Sequence, residues 1–261
     1  MKQLRYAGLL HDFGKVGVRE EVLVKQNKLS PVLETQVRER FTQIRALLRL
    51  KAAEARAAAI AEKGADGAAG ALETIERELE EGLARVARYW QAIKDANVPR
   101  VLDEDAADIL EEIGRQRFVD LEGESRPYLT ARELHFLRIR RGSLDEDERR
   151  QIESHVVHSY DFLLNIPWTE ELSRVAEIVR GHHEKLDGSG YPDGVTGEQL
   201  SIETRIMTVC DIFDALTALV TPALQILEWE ANDGMLDKDV VKLFTESSVY
   251  RKVLDADWRE F

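Results

Sequence analysis

The sequence predicts an all-α protein, a helical bundle with a long inserted helical hairpin. Apolar residues recur at spacings of three and four along most of the chain, which is the period of amphipathic helices. Several of these runs begin just after a serine, threonine or aspartate that can cap a helix. No long stretch alternates apolar and polar residues with period two, so no sheet is predicted.

Composition and charge limit the kind of protein this can be. The formal net charge of −13 argues against binding a nucleic-acid polymer, which needs a basic surface. A small phosphorylated ligand is still compatible, because bound metal cations reverse the local potential of an acidic surface. The single cysteine, Cys210, excludes a disulfide framework, and no membrane span or signal peptide is visible. We therefore expect a cytoplasmic protein.

The first predicted helix covers residues 2–13 and ends at Gly14. It places His11 and Asp12 at a helix terminus, with Lys15 just beyond. Taken alone, the His-Asp pair is better explained as a surface or capping pair. The chain begins inside this predicted helix, which is consistent with residues missing before Met1.

A long hairpin follows a connector at residues 19–29. Ser30 and Pro31 have the residue types of an N-cap and a first helical position. Apolar residues then recur from Val32 to about Ala61, and again after the glycine-rich break at 64–70. The apolar stripe is narrow, as in coiled coils. We interpret residues 30–98 as a homodimerisation or partner-docking element, the alternative being a passive structural insertion.

Further capping signals predict the remaining helices. Asp103 precedes one, Thr130 with Glu133 forms a capping box, and Asp145 with Glu148 forms another. The last of these opens a helix that runs to about Leu164 and carries His155 and His158, which share a face. A strongly apolar helix from Ser201 to about Ala218 carries Asp211, and residues 222–261 are helical again. A carboxylate in so apolar a helix needs a partner, either a metal or a helix–helix salt bridge.

The stretch from His182 to Gly194, HHEKLDGSGYPDG, stands out among these elements. Two adjacent histidines close an apolar helical run, and a loop rich in glycine follows. Imidazoles at the end of a buried helix suit metal binding, because the helix end leaves open positions for water. Glycines beside them let the backbone approach a ligand closely.

Four separated signals together resemble the HD superfamily of metal-dependent phosphohydrolases: His11-Asp12-x-x-Lys15, His155, His182-His183 and Asp211. The run HHEKLDGSGYPDG, followed by Arg205-Ile206 and by DIFDALTA from Asp211, is similar to the HD-GYP branch, which hydrolyses cyclic di-GMP in bacteria. The resemblance covers residues 1–29, 143–218 and, more loosely, 222–247. It implies an HD-GYP domain made of residues 1–29 and 143–261, interrupted by an insertion at 30–142.

The resemblance also implies roles for individual residues. It implies metal ligands at His11, Asp12, His155, His182, His183 and Asp211. Asp12 would bridge two metals, with the histidines at 155, 182 and 183 on one and His11 and Asp211 on the other. Lys15 would contact the scissile phosphate, and Gly190, Tyr191 and Pro192 would shape the substrate pocket. Asp12 and Lys15 are thus the expected catalytic residues. His158 stands where the family usually has glycine and is not expected to be a ligand.

This donor set suggests the cofactor and the reaction. Mixed imidazole and carboxylate sites with open positions favour iron or manganese over structural zinc. Two such metals about 3.5–4 Å apart activate water and clamp the oxygens of a phosphodiester. The expected reaction is hydrolysis of cyclic di-GMP to linear pGpG, to GMP, or to both. The alternatives are a cyclic di-GMP receptor that signals through the helical insertion, and a phosphohydrolase acting on another nucleotide.

The sequence departs from the family pattern in three places. The family has a further ligand histidine, and in some members a glutamate, on a helix upstream of the HD pair. It joins the HD segment to the next histidine helix by a short linker, where this chain has residues 30–142. After Ala218 the family has a basic segment with an Arg-Pro-Tyr motif, where this chain continues Leu219-Val220-Thr221. Either that segment is deleted, or a loop is left out between residues 218 and 219.

Overall fold

The computed structural model describes residues 1–216 and 220–251, and it divides into two compact units. The first unit consists of residues 1–23 and the described residues from 149 onward, and the second consists of residues 24–148. Both limits of the predicted insertion, residues 30 and 142, lie inside the second unit and close to the two ends of its sequence range. The prediction of an all-α fold is confirmed, since only two short strands occur among the described residues.

The elements follow in chain order. Up to residue 97 they are α1 (Lys2–Leu10), a 3-10 helix (Phe13–Gly17), α2 (Glu20–Leu23), α3 (Pro31–Gly67) and α4 (Ala69–Asn97). Then come α5 (Glu104–Arg115), β1 (Arg117–Val119), β2 (Ser125–Pro127), α6 (Ala131–Leu137) and α7 (Glu146–Leu164). The remainder are 3-10 turns at Glu170–Leu172 and Gly197–Gln199, with α8 (Val175–Gly181), α9 (Ile202–Ala215), α10 (Val220–Asn232) and α11 (Lys238–Glu246).

The predicted caps begin these helices as expected. The Ser30 hydroxyl accepts the amide of Leu33, and the Asp103 carboxylate accepts the amide of Ala106. Both predicted capping boxes are formed, Thr130 with Glu133 and Asp145 with Glu148. Each cap satisfies amides that the first turn of a helix leaves without a partner.

The core of the first unit is built around α8. This helix is short and buried nearly all round, so that its apolar side chains pack against α1 and α9. The cluster consists of Ala7, Leu163, Val175, Ala176, Ile178, Val179 and Met207. A second cluster joins α9 to α10 and α11 through residues that include Val209, Phe213 and Leu227. Packing therefore fixes the C-terminal ends of α1 and α8 and one face of α9.

The second unit is organised by the hairpin of α3 and α4. Phe41 and Ile44 on α3 pack with Tyr89 and Ile93 on α4, and α5 and α6 close the cluster. Gly64, with φ of +69°, interrupts the helical backbone inside α3, within the predicted break. Two features were not predicted. The strands β1 and β2 form a short antiparallel hairpin, and α2 lies inside the predicted connector.

Two parts of the helix predictions lie outside the described residues. They are residues 252–261 and the predicted end of the apolar helix at Thr217 and Ala218. Within the described ranges, no helix combines the length and apolarity needed to cross a bilayer.

Candidate metal centre

The six predicted ligands lie together in the first unit, brought there by four helices. His11 and Asp12 directly follow α1, and His182 and His183 directly follow α8. His155 lies on α7 and Asp211 on α9. The Nε2 atom of His11 is 3.2 Å from Oδ1 of Asp211 and 3.4 Å from Oδ2 of Asp12. The other carboxylate oxygen of Asp211 is 3.7 Å from Nδ1 of His183.

Backbone carbonyls orient three of the imidazoles in the same way. Nδ1 of His11 lies 2.9 Å from the Gly8 carbonyl oxygen. The Nδ1 atoms of His155 and His182 each lie 2.5 Å from the carbonyl oxygen three residues earlier. A carbonyl only accepts, so each Nδ1 carries a proton, and in the neutral rings of His155 and His182 the Nε2 atom keeps its lone pair. Such a contact on the far nitrogen is the usual way in which proteins orient a metal-binding histidine.

Three polar atoms at the centre of this group have no hydrogen-bond partner among the described residues. They are Oδ1 of Asp12, Nε2 of His155 and Nε2 of His182, all buried. Unpaired buried polar atoms are rare because desolvation is costly, and each one calls for an explanation. A divalent cation would satisfy all three, since these are ligand atoms of the kind that zinc, iron and manganese accept. The residues therefore fit a metal site.

The donor atoms fall into two overlapping groups among the described residues. One group holds His155, His182 and His183, and the other holds His11, Asp12 and His182. Within each group the donor atoms lie within 4.8 Å of one another. The first group matches the set expected on one metal. The second contains His182 where Asp211 was expected, although Asp211 remains in contact with His11. The assignment of each ligand to one metal stays a prediction.

Burial keeps most of these imidazoles neutral. It lowers the pKa of His182 to about 4 and lowers the pKa of His183, where the neighbouring His182 adds to the effect. Burial lowers the pKa of His155 as well. Neutral imidazoles are the form that binds metals, so the site is prepared for a cation at neutral pH.

His11 and Asp211 behave as an ion pair. Burial opposes the charge on His11, but the hydrogen bond to Asp211 and the charge of Asp12 raise its pKa overall. Burial likewise opposes the charge on Asp211, yet His11 and the charges of His183 and His182 lower the pKa of that carboxyl. A carboxylate that stays ionised among imidazoles supplies the negative charge that a divalent cation requires.

The turn after α1 holds Lys15 beside Asp12. Nζ of Lys15 lies 2.7 Å from Oδ2 of Asp12, and the lysine side chain is half-exposed. The backbone amide of Gly14 donates to the Ser159 hydroxyl, which in turn donates to the carbonyl of His11. A β-carbon on Gly14 would lie 2.0 Å from the carbonyl oxygen of His155. This turn therefore needs glycine so that it can approach α7.

The predicted pocket residues lie on the loop that follows His183. The ring of Tyr191 stacks on the imidazole of His183 with 4.8 Å between centroids. Its peptide bond to Pro192 is cis. A β-carbon on Gly190 would lie 2.4 Å from Cα of Glu184, so the loop folds back tightly onto the segment after the histidines. Tyr191 thus lies against one of the predicted ligands, and Gly190 lies against the residues that follow it.

Glu184 is a residue of this region that the sequence analysis did not single out. Its side chain is buried and its carboxylate accepts the backbone amides of Asp193, Gly194 and Val195. The signal that could have found it is an acidic residue placed between two buried histidines and a glycine-rich loop. His158, by contrast, is exposed and packs against Gly17, consistent with the expectation that it is not a ligand.

Histidines and aspartates from four helices converge in one helical unit, and their donor atoms fit a helical metal-binding domain. Residues 131–240 match the family model described as the HD domain. This match and the motifs of the central loop both support a resemblance to HD domains of the HD-GYP type. The matched segment starts at residue 131, inside the predicted insertion.

Similar proteins have related names. A 3'3'-cGAMP-specific phosphodiesterase 3 of Vibrio cholerae is 47% identical over 77 residues, covering 30% of this chain and 16% of that protein. The cyclic di-GMP phosphodiesterase response regulator RpfG of Xanthomonas campestris is 44% identical over 75 residues, covering 29% of this chain and 20% of that protein. The cyclic di-GMP phosphodiesterase PdeB of Borreliella burgdorferi is 31% identical over 117 residues, covering 44% of this chain and 25% of that protein. The chain therefore spans a quarter or less of each of these relatives.

Proposed function

We propose that this chain hydrolyses a phosphodiester bond of a cyclic dinucleotide with the help of two divalent metal ions. The observation that carries the proposal is the set of buried, unpaired donor atoms on Asp12, His155 and His182. They lie beside a half-exposed lysine and a tyrosine that stacks on His183. Relatives named as phosphodiesterases of cyclic di-GMP and of 3'3'-cGAMP support the same class of substrate.

Each predicted residue has a role in this proposal. His11, Asp12, His155, His182, His183 and Asp211 would hold the metals, and their mixed nitrogen and oxygen donors favour iron or manganese. Bound metals of this kind activate water and neutralise charge on a phosphate. The ammonium of Lys15 would turn from Asp12 to the scissile phosphate and stabilise the negative charge that develops there. Gly190, Tyr191 and Pro192 would line the pocket that holds the nucleotide.

We propose cyclic di-GMP as the substrate, with linear pGpG, GMP or both as products, in bacterial second-messenger signalling. The mixed names of the relatives make 3'3'-cGAMP the competing substrate, because the two differ in one purine base only. A single cysteine, Cys210, fits a reducing compartment, and we place this activity in the cytoplasm.

The test is turnover after metal reconstitution without air. Chain loaded with iron or with manganese is incubated with each cyclic dinucleotide, and the products are separated by chromatography. We expect hydrolysis of at least one of the two. Asp12→Ala should abolish it, and Lys15→Met should lower kcat about 100-fold while metal is retained, the usual loss when one charge-stabilising group is removed.

The matched control for the aspartate is Asp161→Ala, an exposed aspartate on α7 that should leave turnover unchanged. Metal-loaded chain that leaves both dinucleotides intact would refute hydrolysis. If the same sample bound cyclic di-GMP tightly, the result would instead point to a receptor that signals through the α3–α4 hairpin.

A further inference from the structure

The carboxylate of Glu184 packs beneath the loop that carries Tyr191 and binds its backbone amides. One of its oxygens accepts the amides of Asp193 at 2.6 Å and Gly194 at 3.1 Å, and the other accepts the amide of Val195 at 3.1 Å. Glu184 has only 2% of its surface exposed. Hydrogen bonds from backbone amides to an ionised, buried carboxylate are among the stronger ones in proteins.

The same loop is bound to the metal-binding segment at its other end. The amide of Tyr191 donates to the carbonyl oxygen of His183 at 3.2 Å, and the two rings stack. Gly190 crosses so close to Glu184 that no side chain fits between them. Because Glu184 is the next residue after His183, one short segment of backbone supports both a metal-binding imidazole and the loop.

A second tie lies on the outside of the loop. Arg180 pairs with both carboxylate oxygens of Asp193, at 2.7 and 2.8 Å. This pair is bidentate, but both side chains are partly exposed and it restrains residue 193 only. The buried carboxylate of Glu184, by contrast, binds the amides of residues 193, 194 and 195 together.

We infer that Glu184 is a positioning residue, which holds the 190–195 loop so that Tyr191 faces the nucleotide beside His183. This inference rests on the proposed function for the identity of the ligand, but its structural part does not. Without the carboxylate, three part-buried amides lose their acceptor, and the loop has to rearrange to satisfy them. Tyr191 would then lose its fixed place in the pocket, while the imidazoles of His155 and His182 would keep their own backbone contacts.

The test compares Glu184→Gln with Glu198→Gln. Glu198 is exposed on the 3-10 turn just after the loop, so this control makes the same glutamate-to-glutamine change at a side chain that is not buried. Glutamine keeps one acceptor oxygen but replaces the other with an NH2 group that cannot accept, so at least one of the three amides loses its partner. In Glu184→Gln we therefore expect faster hydrogen exchange within residues 193–195, measured by mass spectrometry. We also expect kcat/KM to fall about 10- to 100-fold, the range typical of residues that support a metal site. The loss should lie mainly in KM and in the affinity for cyclic di-GMP, with metal content unchanged.

Glu184→Asp keeps the charge and should recover part of the affinity, which a role in packing alone would not explain. It also serves as the second variant if Glu184→Gln does not fold. Unchanged exchange and unchanged KM in the folded variants would overturn the inference. If the wild-type chain neither binds nor cleaves a cyclic dinucleotide, the proposed function fails, and the exchange measurement still decides whether Glu184 holds the loop.

Discussion

Nε2 of His155 lies 3.5 Å from Oδ1 of Asp12, and both atoms are buried with no hydrogen-bond partner in the part of the chain that the structure describes. A proton on Nε2 would form a hydrogen bond to that oxygen. Burial lowers the pKa of His155, so the ring is neutral, and its one proton is on Nδ1. Two lone pairs therefore face each other across a short gap. In a folded protein this arrangement is unfavourable unless a cation lies near both atoms.

The overlap of the two ligand groups predicts different metal losses for two histidine variants. His182 belongs to both groups, whereas His155 belongs to one. We expect both His155→Gln and His182→Gln to lower the metal bound per chain, and His182→Gln to lower it more, because the one free lone pair of His182, on Nε2, lies within reach of the donor atoms of both groups. The measurement is elemental analysis after reconstitution and gel filtration.

His135→Gln is the control for both histidine variants. His135 is exposed in the second unit and contacts Asp145, outside either ligand group. Its metal content should equal that of the wild-type chain. Equal losses in the His155 and His182 variants would contradict the assignment of His182 to both groups.

The buried imidazoles predict that the metal-free protein loses stability in acid. The pKa of His182 is about 4 in the folded chain and about 6.5 when unfolded, so the unfolded state binds more protons between these values. The free energy of unfolding should therefore fall as the pH drops from about 6.5 to about 4, by about 3 kcal/mol from His182 alone. His183 and His155, whose pKa values are also lowered, act in the same direction.

His11 acts in the opposite direction, because its pKa is raised and its stabilisation is lost as the pH rises through that value. Urea unfolding in the presence of a chelator, from pH 7 to pH 4.5, measures the sum. His182→Gln should show a shallower dependence on pH than the wild-type chain. A flat profile in the wild type would show that the imidazoles are not buried in the neutral form.

The close approach of the turn to α7 predicts that Gly14→Ala is costly. A β-carbon there would lie 2.0 Å from the carbonyl oxygen of His155 and 2.6 Å from the amide nitrogen of Ser159, and both are backbone atoms. We expect a loss of about 1–3 kcal/mol in the free energy of unfolding, the range for overpacked sites, together with weaker metal binding. Gly70→Ala is the control, because a β-carbon at that helical position meets nothing within 4 Å. It should be neutral or stabilising, since alanine favours helix.

The sequence was informative wherever a local rule decides the structure. Ser30, Asp103, Thr130 and Asp145 cap helices because a short side chain can reach the first free amides, and this depends on a few neighbouring residues only. The grouping of His11, His155, His182 and Asp211 came from the resemblance to a family, since no local rule relates residues so distant in sequence.

Other features could not be predicted because they depend on contacts between distant segments. The role of Glu184 requires the loop to fold back over it, and the sequence does not state which amides a carboxylate will meet. The β1–β2 hairpin is only three residues on each strand, too short for an alternating pattern to be visible. Similarly, the need for Gly14 is set by the distance to α7.

Homodimerisation through the hairpin of α3 and α4 can be tested by shortening the hairpin at its tip. Deleting all of residues 30–98 would be a poor test, because Phe41, Ile44, Tyr89 and Ile93 belong to the core of the second unit. The distal part beyond the Arg56–Glu76 ion pair contributes none of these four residues. Replacing residues 57–75 with a short glycine-serine link should therefore leave the unit folded.

If the narrow apolar stripe of the hairpin joins two chains, the full chain should have about twice the mass of one chain in solution, and the shortened variant about the mass of one. Light scattering coupled to gel filtration measures both, and circular dichroism checks that the helices remain. A full chain that is already monomeric, or a shortened variant that still dimerises, would leave the distal hairpin as a passive insertion. Turnover of the shortened variant should equal that of the full chain, because the proposed ligands and the loop of Tyr191 all lie in the first unit.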